Sequence, residues 1–167
     1  ASMGVSFRPN TMIQTINLTR KYGNLIALDN LNLEIAAGEC YGFIGPNGAG
    51  KTTTIKILST LLKPTWGEAR IGGKVIGYQN AEIRPTIGYV PDFMGSYDDM
   101  LMSEYLDFFA SCYGLSGSQR VRAVADVLEL TELGYKANSD MEGLSRGMGQ
   151  RLSIARVLLH DPEVLLL

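Results

Sequence analysis

The sequence predicts an α/β fold, and three features of the chain carry that prediction. A glycine-rich loop at residues 45–52 lies between a short apolar run at residues 40–44, which predicts a buried strand, and a pattern over residues 54–62 that predicts a helix. Two further apolar runs, at residues 87–90 and 163–167, have the length and composition of buried parallel strands. Between them, apolar residues recur at helical spacing over residues 103–133, which indicates a helical block inserted into the core.

Composition limits the classes of protein to which the chain can belong. Its 167 residues are 46% hydrophobic and 19% charged, which suits one domain, or one core with a small appendage. A net charge of −2 argues against a nucleic-acid-binding surface, which would be basic. Cys40 and Cys112 are expected to be buried free thiols of a cytosolic protein rather than a disulfide pair.

The N-terminal third is expected to be built mainly from strands. Residues 1–11 are expected to be a leader or a vector-derived remnant, and residues 12–18 alternate as in an edge strand. Apolar residues alternate with polar ones over residues 31–35, which predicts a half-exposed strand. Gly72 and Gly73 mark the turn of a short hairpin over residues 67–77.

The glycine-rich loop fits the phosphate-binding pattern G-x-x-x-x-G-K-[ST]. Its predicted ligand-binding residues are Gly45, Pro46, Asn47, Gly48, Ala49, Gly50, Lys51, Thr52 and Thr53. Successive backbone N–H groups of such a loop form a nest for anions, and a helix that starts near Gly50 adds its positive end. Lys51 can then reach the β- and γ-phosphates, and the Thr52 hydroxyl can bind Mg²⁺. The alternative, a glycine-rich turn before a surface lysine, fits the strand–loop–helix context less well.

The second half of the chain is expected to be mainly helical. Gly114 is a natural stop for the first helix of the block, and a later helix is expected from Arg146 to His160. Ser145 can cap that helix, and Gly147 keeps its first N–H groups accessible. Taken alone, this second motif is equally consistent with a purely structural helix cap.

Together the phosphate loop and the run Leu-Ser-Arg-Gly-Met at residues 144–148 resemble the ATP-binding subunit of ABC transporters. The resemblance covers residues 12–167. In that family, ATP is enclosed between the phosphate loop of one subunit and the L-S-x-G-x signature of a second, head-to-tail copy. The resemblance therefore implies ATP and Mg²⁺ as cofactors. It also implies two partners, a second copy of the chain and a transmembrane transporter subunit, and no nucleic acid. It also implies a cytoplasmic location, peripheral at the inner face of the membrane through the partner.

The resemblance to this family also assigns roles to further residues. Tyr22 is similar to the aromatic residue that stacks on adenine, although a core or edge tyrosine is the structural alternative. Ser145 and Gly147 would contact the γ-phosphate of the ATP that the partner copy holds. The expected fold is a P-loop NTPase core of ABC type, with an N-terminal antiparallel β part and a helical subdomain inserted at about residues 93–145. Arg146 and Met148, together with the compact helical block, look most like the exporter branch.

Two departures from the family pattern affect the expected chemistry. Asp92 stands where the family usually has a glutamine that touches Mg²⁺ and the attacking water. A carboxylate can still bind Mg²⁺, so Asp92 is a candidate metal ligand and the one catalytic candidate present; the alternative is a turn residue after Pro91. The Walker B aspartate, the catalytic glutamate and the histidine that senses the γ-phosphate would follow Leu167. The expectation is therefore an incomplete domain that lacks C-terminal strands and hydrolyses ATP poorly.

Three functions remain open on the sequence alone. The first is an ATP-binding subunit that powers export by a membrane partner, represented by its N-terminal part. The second is a non-hydrolysing nucleotide-binding or regulatory fragment. The third is an ABC-type ATPase of DNA repair or translation, which usually carries coiled-coil insertions, duplicated cassettes or basic arms that this sequence lacks.

Overall fold

The computed structural model describes residues 10–91, 95, 97 and 99–167. The chain divides into two compact units, Ala1–Ile87 and Gly88–Leu167. Two sequence-based expectations lie wholly or largely outside the described residues: the leader at residues 1–11, of which only residues 10 and 11 are described, and the role of Asp92 as a metal ligand.

A four-stranded antiparallel sheet dominates the first unit. Its strands, in the spatial order β2-β1-β3-β4, are β1 (Thr11–Tyr22), β2 (Leu25–Ala36), β3 (Trp66–Ile71) and β4 (Lys74–Val75). The half-exposed strand and the glycine hairpin predicted from the sequence are both confirmed. The prediction that β1 is an edge strand is wrong, because β3 pairs with its second side. Alternation along β1 could not reveal a neighbour contributed by a later segment of the chain.

A bulge bends β1 near its middle. The β1–β3 register shifts between Ile16 and Thr19, and Asn17 there has a φ of 48°. The Asn17 N–H donates to Oδ1 of Asn32 at 2.9 Å, which satisfies a group that the ladder leaves unpaired. A glycine is required opposite, because a Cβ at Gly67 would lie 2.2 Å from the Asn17 carbonyl oxygen.

Helix α1 (Lys51–Leu58) packs its Ile57 and Leu58 into the core of the first unit, and α2 (Asn80–Ile83) contributes the buried Ile83. A 3₁₀ helix, Arg84–Thr86, follows α2. Helix α1 was predicted to extend to about residue 62. It ends earlier because Thr60 adopts a φ of 61°, and the N–H groups of Leu61 and Leu62 both bond to the carbonyl of Lys56.

The strand predicted at residues 40–44 does not form. These residues have no regular secondary structure, and Ile44 is 99% exposed. None of the strands in the described part of the chain pairs with this segment, so its backbone groups have no ladder to join. Cys40 is exposed for this reason, and Cys112, at the end of a helix, is exposed as well. The expectation of buried thiols is therefore wrong, although both cysteines are free.

The second unit contains three long helices and a strand pair. Strand β5 (Ile87–Tyr89), which begins at the last residue of the first unit, pairs with β6 (Val164–Leu166). The helices are α3 (Met102–Cys112), α4 (Gly117–Leu130) and α5 (Arg146–Leu158), with 3₁₀ turns at Gly134–Lys136 and Met141–Gly143. Their shared core includes side chains with no exposed surface, among them Met102, Tyr105, Leu106, Leu133 and Leu152.

The sequence-based predictions for this unit are largely confirmed. The two helices of the predicted block and the following helix all form, and Gly114 follows α3 with a φ of 81°. Both short apolar runs form strands. No helix in the described ranges is long and apolar enough to cross a membrane.

Candidate functional site

The glycine-rich loop leads directly into α1. Gly48 and Gly50 have φ values of 88° and 83°, which a residue with a Cβ adopts only under strain. Between them, the Ala49 N–H donates to the Pro46 carbonyl at 3.2 Å and closes a tight turn. Residues 45–49 are exposed, so the concave loop is open to a ligand from solvent.

Lys51 lies across this loop. Its Nζ donates to the carbonyl oxygens of Gly45 at 2.5 Å and of Pro46 at 2.7 Å. The first residue of the helix is thus connected to the start of the loop, and the ammonium group is held at the place that the motif reserves for phosphate contact. An anion that enters the loop meets this positive charge together with the backbone N–H groups.

The start of α1 leaves its first donors free for a ligand. Gly50 caps the helix without any side-chain bond, as expected for a helix that starts near this residue. The N–H of Thr54 bonds to the Gly50 carbonyl at 2.8 Å, and its hydroxyl bonds to the same oxygen at 2.9 Å. By contrast, Thr52 is exposed at the first turn, and its hydroxyl has no hydrogen bond to any of the described residues. An exposed hydroxyl beside helix N–H groups suits a phosphate and its cation.

The phosphate loop rests on strand β2, a contact that the sequence did not reveal. A Cβ built on Gly50 would lie 2.8 Å from the carbonyl oxygen of Ala27 and 3.1 Å from Cδ1 of Leu28. The absence of a side chain at Gly50 is therefore needed for packing as well as for backbone conformation. The only sequence signal of this contact is the glycine itself.

Tyr22, the predicted adenine-stacking residue, lies at the end of β1 and is 44% exposed. The Arg20 guanidinium carbon lies over its ring, 4.5 Å from the centroid. Sequence reasoning missed Arg20, although its position two residues before Tyr22 places both side chains on the same face of the strand. The exposed ring agrees with a binding residue better than with a core tyrosine.

Ser145 and Gly147 lie at the start of α5 in the second unit. The Ser145 hydroxyl accepts a hydrogen bond from the Met148 N–H at 3.3 Å, which confirms the predicted cap. Both residues are exposed, and a Cβ added at Gly147 would meet nothing within 4 Å. The backbone at this helix start is thus accessible from solvent. The phosphate loop at residues 45–52 belongs to the first unit, and the signature at residues 144–148 belongs to the second.

Two arginines fix α5 to its neighbours. Arg151 donates to the Thr131 carbonyl at 3.4 Å and pairs with Glu132 at 3.6 Å. Arg156 donates to the Tyr105 hydroxyl at 3.1 Å and lies over the Phe109 ring at 5.2 Å. Burial raises the pKa of Tyr105 above its usual value, and the opposing effect of the Arg156 charge is smaller. These contacts fix the helix that carries Ser145.

The donor chemistry at the loop fits magnesium better than a protein-held transition metal. Within the described ranges, no group of three or more His, Cys, Asp or Glu residues could hold a metal ion. Magnesium does not need a cluster of protein ligands, because it usually binds through one or two protein oxygens together with substrate phosphates and water. The exposed Thr52 hydroxyl is one such oxygen.

Comparison with known proteins identifies relatives over most of the chain. A family profile described as "ABC transporter" matches residues 28–167. The chain is 37% identical over 156 residues to the Nod factor export ATP-binding protein I of Cupriavidus metallidurans, covering 93% of this chain and 52% of that protein. It is 40% identical over 158 residues to the bacitracin transport ATP-binding protein BcrA of Bacillus licheniformis, covering 95% and 51%. The chain thus spans about half the length of these curated relatives.

Solved structures agree with these sequence relatives. One, described as an ATP-binding subunit of an ABC transporter, superposes with a TM-score of 0.80 at 28% identity and covers 93% of this chain and 65% of its own. Another is an ATP-binding cassette dimer in a post-hydrolysis state with bound ADP and phosphate. It has a TM-score of 0.80 at 31% identity and covers 92% of this chain and 72% of its own.

Proposed function

Because the chain belongs to the ABC transporter family, we propose that it binds Mg-ATP through residues 45–53 and powers export by a membrane partner. The observation that carries this proposal is the open phosphate loop with Lys51 across it. Three kinds of anion-binding group lie close together at this loop: backbone N–H donors, a helix N-terminus and a fixed ammonium group. Polyphosphate is the ligand chemistry that uses all three.

Magnesium would enter this site together with the nucleotide. Thr52 would supply one protein oxygen, and the ion would neutralise phosphate charge. Asp92 is the second candidate ligand, and it is also the residue that would stand near the attacking water. Since Asp92 lies outside the described residues, its contribution stays a prediction from the sequence.

A second copy of the chain would complete the site. Ser145 and Gly147 present an exposed, capped helix start, which suits contact with the γ-phosphate of ATP held by another molecule. The solved cassette with bound ADP and phosphate is described as dimeric, which supports pairing. We infer a head-to-tail arrangement, in which each loop faces the signature of the other copy.

The relatives' names favour transport over the other candidate functions. The curated proteins described above are named for Nod factor export and bacitracin transport, and a third relative, from Bacillus subtilis, for linearmycin resistance. The proposed partner is therefore a transmembrane transporter subunit, and the proposed location is the cytoplasmic face of the membrane. No feature of the described residues specifically favours a regulatory fragment or an ATPase of DNA repair or translation.

Calorimetric titration of Mg-ATP tests the proposal through Lys51. Lys51→Ala should weaken ATP binding by about 1.5–3 kcal/mol, because a charge-assisted phosphate contact is lost. Lys56→Ala is the matched control, since it removes the same charge from an exposed position of the same helix. This control should bind ATP as the parent does. Equal ATP affinity for Lys51→Ala and Lys56→Ala would refute the assignment of the loop.

A further inference from the structure

We propose that Arg20 is a positioning residue of the nucleotide site, whose guanidinium covers one face of Tyr22 and leaves the opposite face for the base. This inference rests on the proposed function and on the sequence-based prediction that Tyr22 stacks on the adenine of ATP. It adds a residue that neither the sequence motifs nor the phosphate loop identifies. Three sets of contacts within the first unit support this role of Arg20.

The first contact is the stacking itself. The Arg20 guanidinium carbon lies 4.5 Å from the centroid of the Tyr22 ring, within the range of a cation–π interaction. Tyr22 keeps 44% of its surface exposed although the guanidinium covers one face of its ring. A planar base would approach this exposed surface from solvent.

The second contact holds the guanidinium itself in place. Arg20 Nη1 donates to the carbonyl oxygen of Lys63 at 3.0 Å. Lys63 lies in the segment that follows α1, the helix that runs from Lys51 to Leu58. Arg20 therefore links the aromatic ring to the segment after the helix that carries the phosphate-binding lysine. Its planar group can stack and donate at once, which the compact ammonium group of a lysine cannot do in the same way.

The third set of contacts fixes the strand beneath these side chains. The Lys21 N–H donates to the Thr65 hydroxyl at 3.0 Å, and the Thr65 N–H donates to the Thr19 carbonyl at 2.8 Å. The end of β1 is thus bonded to residues 63–65 through backbone and side chain together. A ring that is already fixed loses less conformational freedom when a base stacks on it, which increases affinity for the nucleotide.

The test compares ATP with inorganic tripolyphosphate, which contacts the phosphate loop but has no base. Binding of both ligands is measured for the parent and for Arg20→Ala, Arg20→Lys and Lys21→Ala. Lys21→Ala is the matched control, because it removes the same charge from the adjacent position of the strand. Arg20→Ala should weaken ATP binding about two- to tenfold relative to this control, as expected when one side chain must be ordered on binding. Tripolyphosphate binding should stay unchanged, and Arg20→Lys should restore part of the loss.

A double-mutant comparison separates positioning from general electrostatics. In a Tyr22→Ala background, Arg20→Ala should have no further effect on ATP binding, since the ring on which it acts is gone. A further loss in that background, or an equal loss for ATP and tripolyphosphate, would overturn the inference about Arg20. The proposed function fails separately if the parent chain does not bind ATP, or if Lys51→Ala binds it as well as the parent does.

A measurement on the parent chain covers the case in which Arg20→Ala does not fold. In the NMR spectrum, the Arg20 δ protons should be shifted upfield by the Tyr22 ring current, and Tyr22→Leu should abolish the shift. Added ATP should transfer magnetisation from the adenine protons to the Tyr22 ring while the Arg20 shift persists. Loss of the Arg20 shift on ATP binding would show that the base displaces the guanidinium, and this result would also overturn the inference.

Discussion

At the scale of single residues, the loop contains two glycines whose backbone conformations are nearly the same but whose surroundings differ. Gly48 has a φ of 88°, and a Cβ there would meet nothing within 4 Å. Gly50 has a φ of 83°, and a Cβ there would lie 2.8 Å from the Ala27 carbonyl oxygen. The pair therefore separates the cost of a left-handed backbone from the cost of a steric clash.

We predict that Gly50→Ala lowers the free energy of unfolding more than Gly48→Ala does. Both variants carry the conformational cost of a Cβ at positive φ, about 1–2 kcal/mol. Gly50→Ala adds an overpacking cost of about 1–3 kcal/mol, because a backbone carbonyl must move. Urea unfolding without nucleotide measures the difference. Equal losses for the two variants would show that the loop does not rest on β2 in solution.

At the scale of elements, α5 connects the signature to the helical core. Its first turn carries the exposed Ser145 and Gly147, while Leu152 and Ala155 have no exposed surface. Arg151 and Arg156 bond to groups in the α4–α5 connection and in α3, respectively. The helix is thus held along its length, and its free end presents the signature to solvent.

Substitutions of Ser145 can distinguish capping from phosphate contact. Ser145→Ala should lower the free energy of unfolding by about 1 kcal/mol, since the cap to the Met148 N–H is lost. Ser145→Asp should keep the cap, because aspartate is an equally good capping residue, but its charge should repel a partner's γ-phosphate. The expected result is that Ser145→Asp unfolds as the parent does, binds ATP alone as the parent does, and fails in ATP-dependent pairing. Normal pairing by Ser145→Asp would contradict the proposed contact, as would loss of ATP binding by the isolated chain.

The contact between α3 and α5 should depend on pH through Tyr105. Tyr105→Phe should lower the free energy of unfolding by about 1 kcal/mol at neutral pH, because the half-exposed Arg156 loses its acceptor. Burial raises the pKa of Tyr105 in the folded state, so the folded state keeps the phenol proton to higher pH than the unfolded state does. The stability that this tyrosine contributes is therefore fully present below its unfolded pKa of about 10 and is lost as the pH rises through the folded pKa.

The measurement is the difference in unfolding free energy between the parent and Tyr105→Phe across the alkaline range. This difference should shrink above about pH 10, since only the parent can ionise residue 105 when it unfolds. A difference that grows above pH 10 would mean that Arg156 stabilises the phenolate, with the pKa lowered instead of raised.

At the scale of the whole molecule, the proposed ATP site is shared between two copies. The phosphate loop belongs to the first unit and the signature to the second. A head-to-tail pair would contain two equivalent composite sites, each with a loop from one copy and a signature from the other. This arrangement predicts that two different defective variants can complement each other.

We predict that a mixture of Lys51→Ala and Ser145→Asp chains pairs in the presence of Mg-ATP, although neither variant pairs alone. In the mixed pair, the loop of the Ser145→Asp copy faces the intact signature of the Lys51→Ala copy, so one complete site remains. Light scattering after size-exclusion chromatography measures the mass of each variant and of the mixture. If the parent pairs normally but the mixture does not, the head-to-tail arrangement would be wrong. The loop and the signature would then have to act within one copy.

The sequence by itself determined the local elements whose patterns are complete within a short segment. The start of α1 near Gly50, the cap at Ser145, the hairpin at Gly72 and the helices α3 to α5 all formed as their spacing predicts. Each depends on turn geometry, capping or helical periodicity, which act over a few residues. The family was identifiable for the same reason, because its two motifs are short and, taken together, specific.

The tertiary structure decided everything that depends on partners distant along the chain. Residues 40–44 are as apolar as a buried strand, yet they form none, because no described strand supplies their hydrogen bonds. β1 lies inside its sheet because β3 joins its second side, and Gly50 must be a glycine because β2 passes close to it. Arg20 meets Lys63 only once the strand and the segment after α1 are brought together. Pairing and packing of this kind are set by the arrangement of whole elements, which local spacing does not encode.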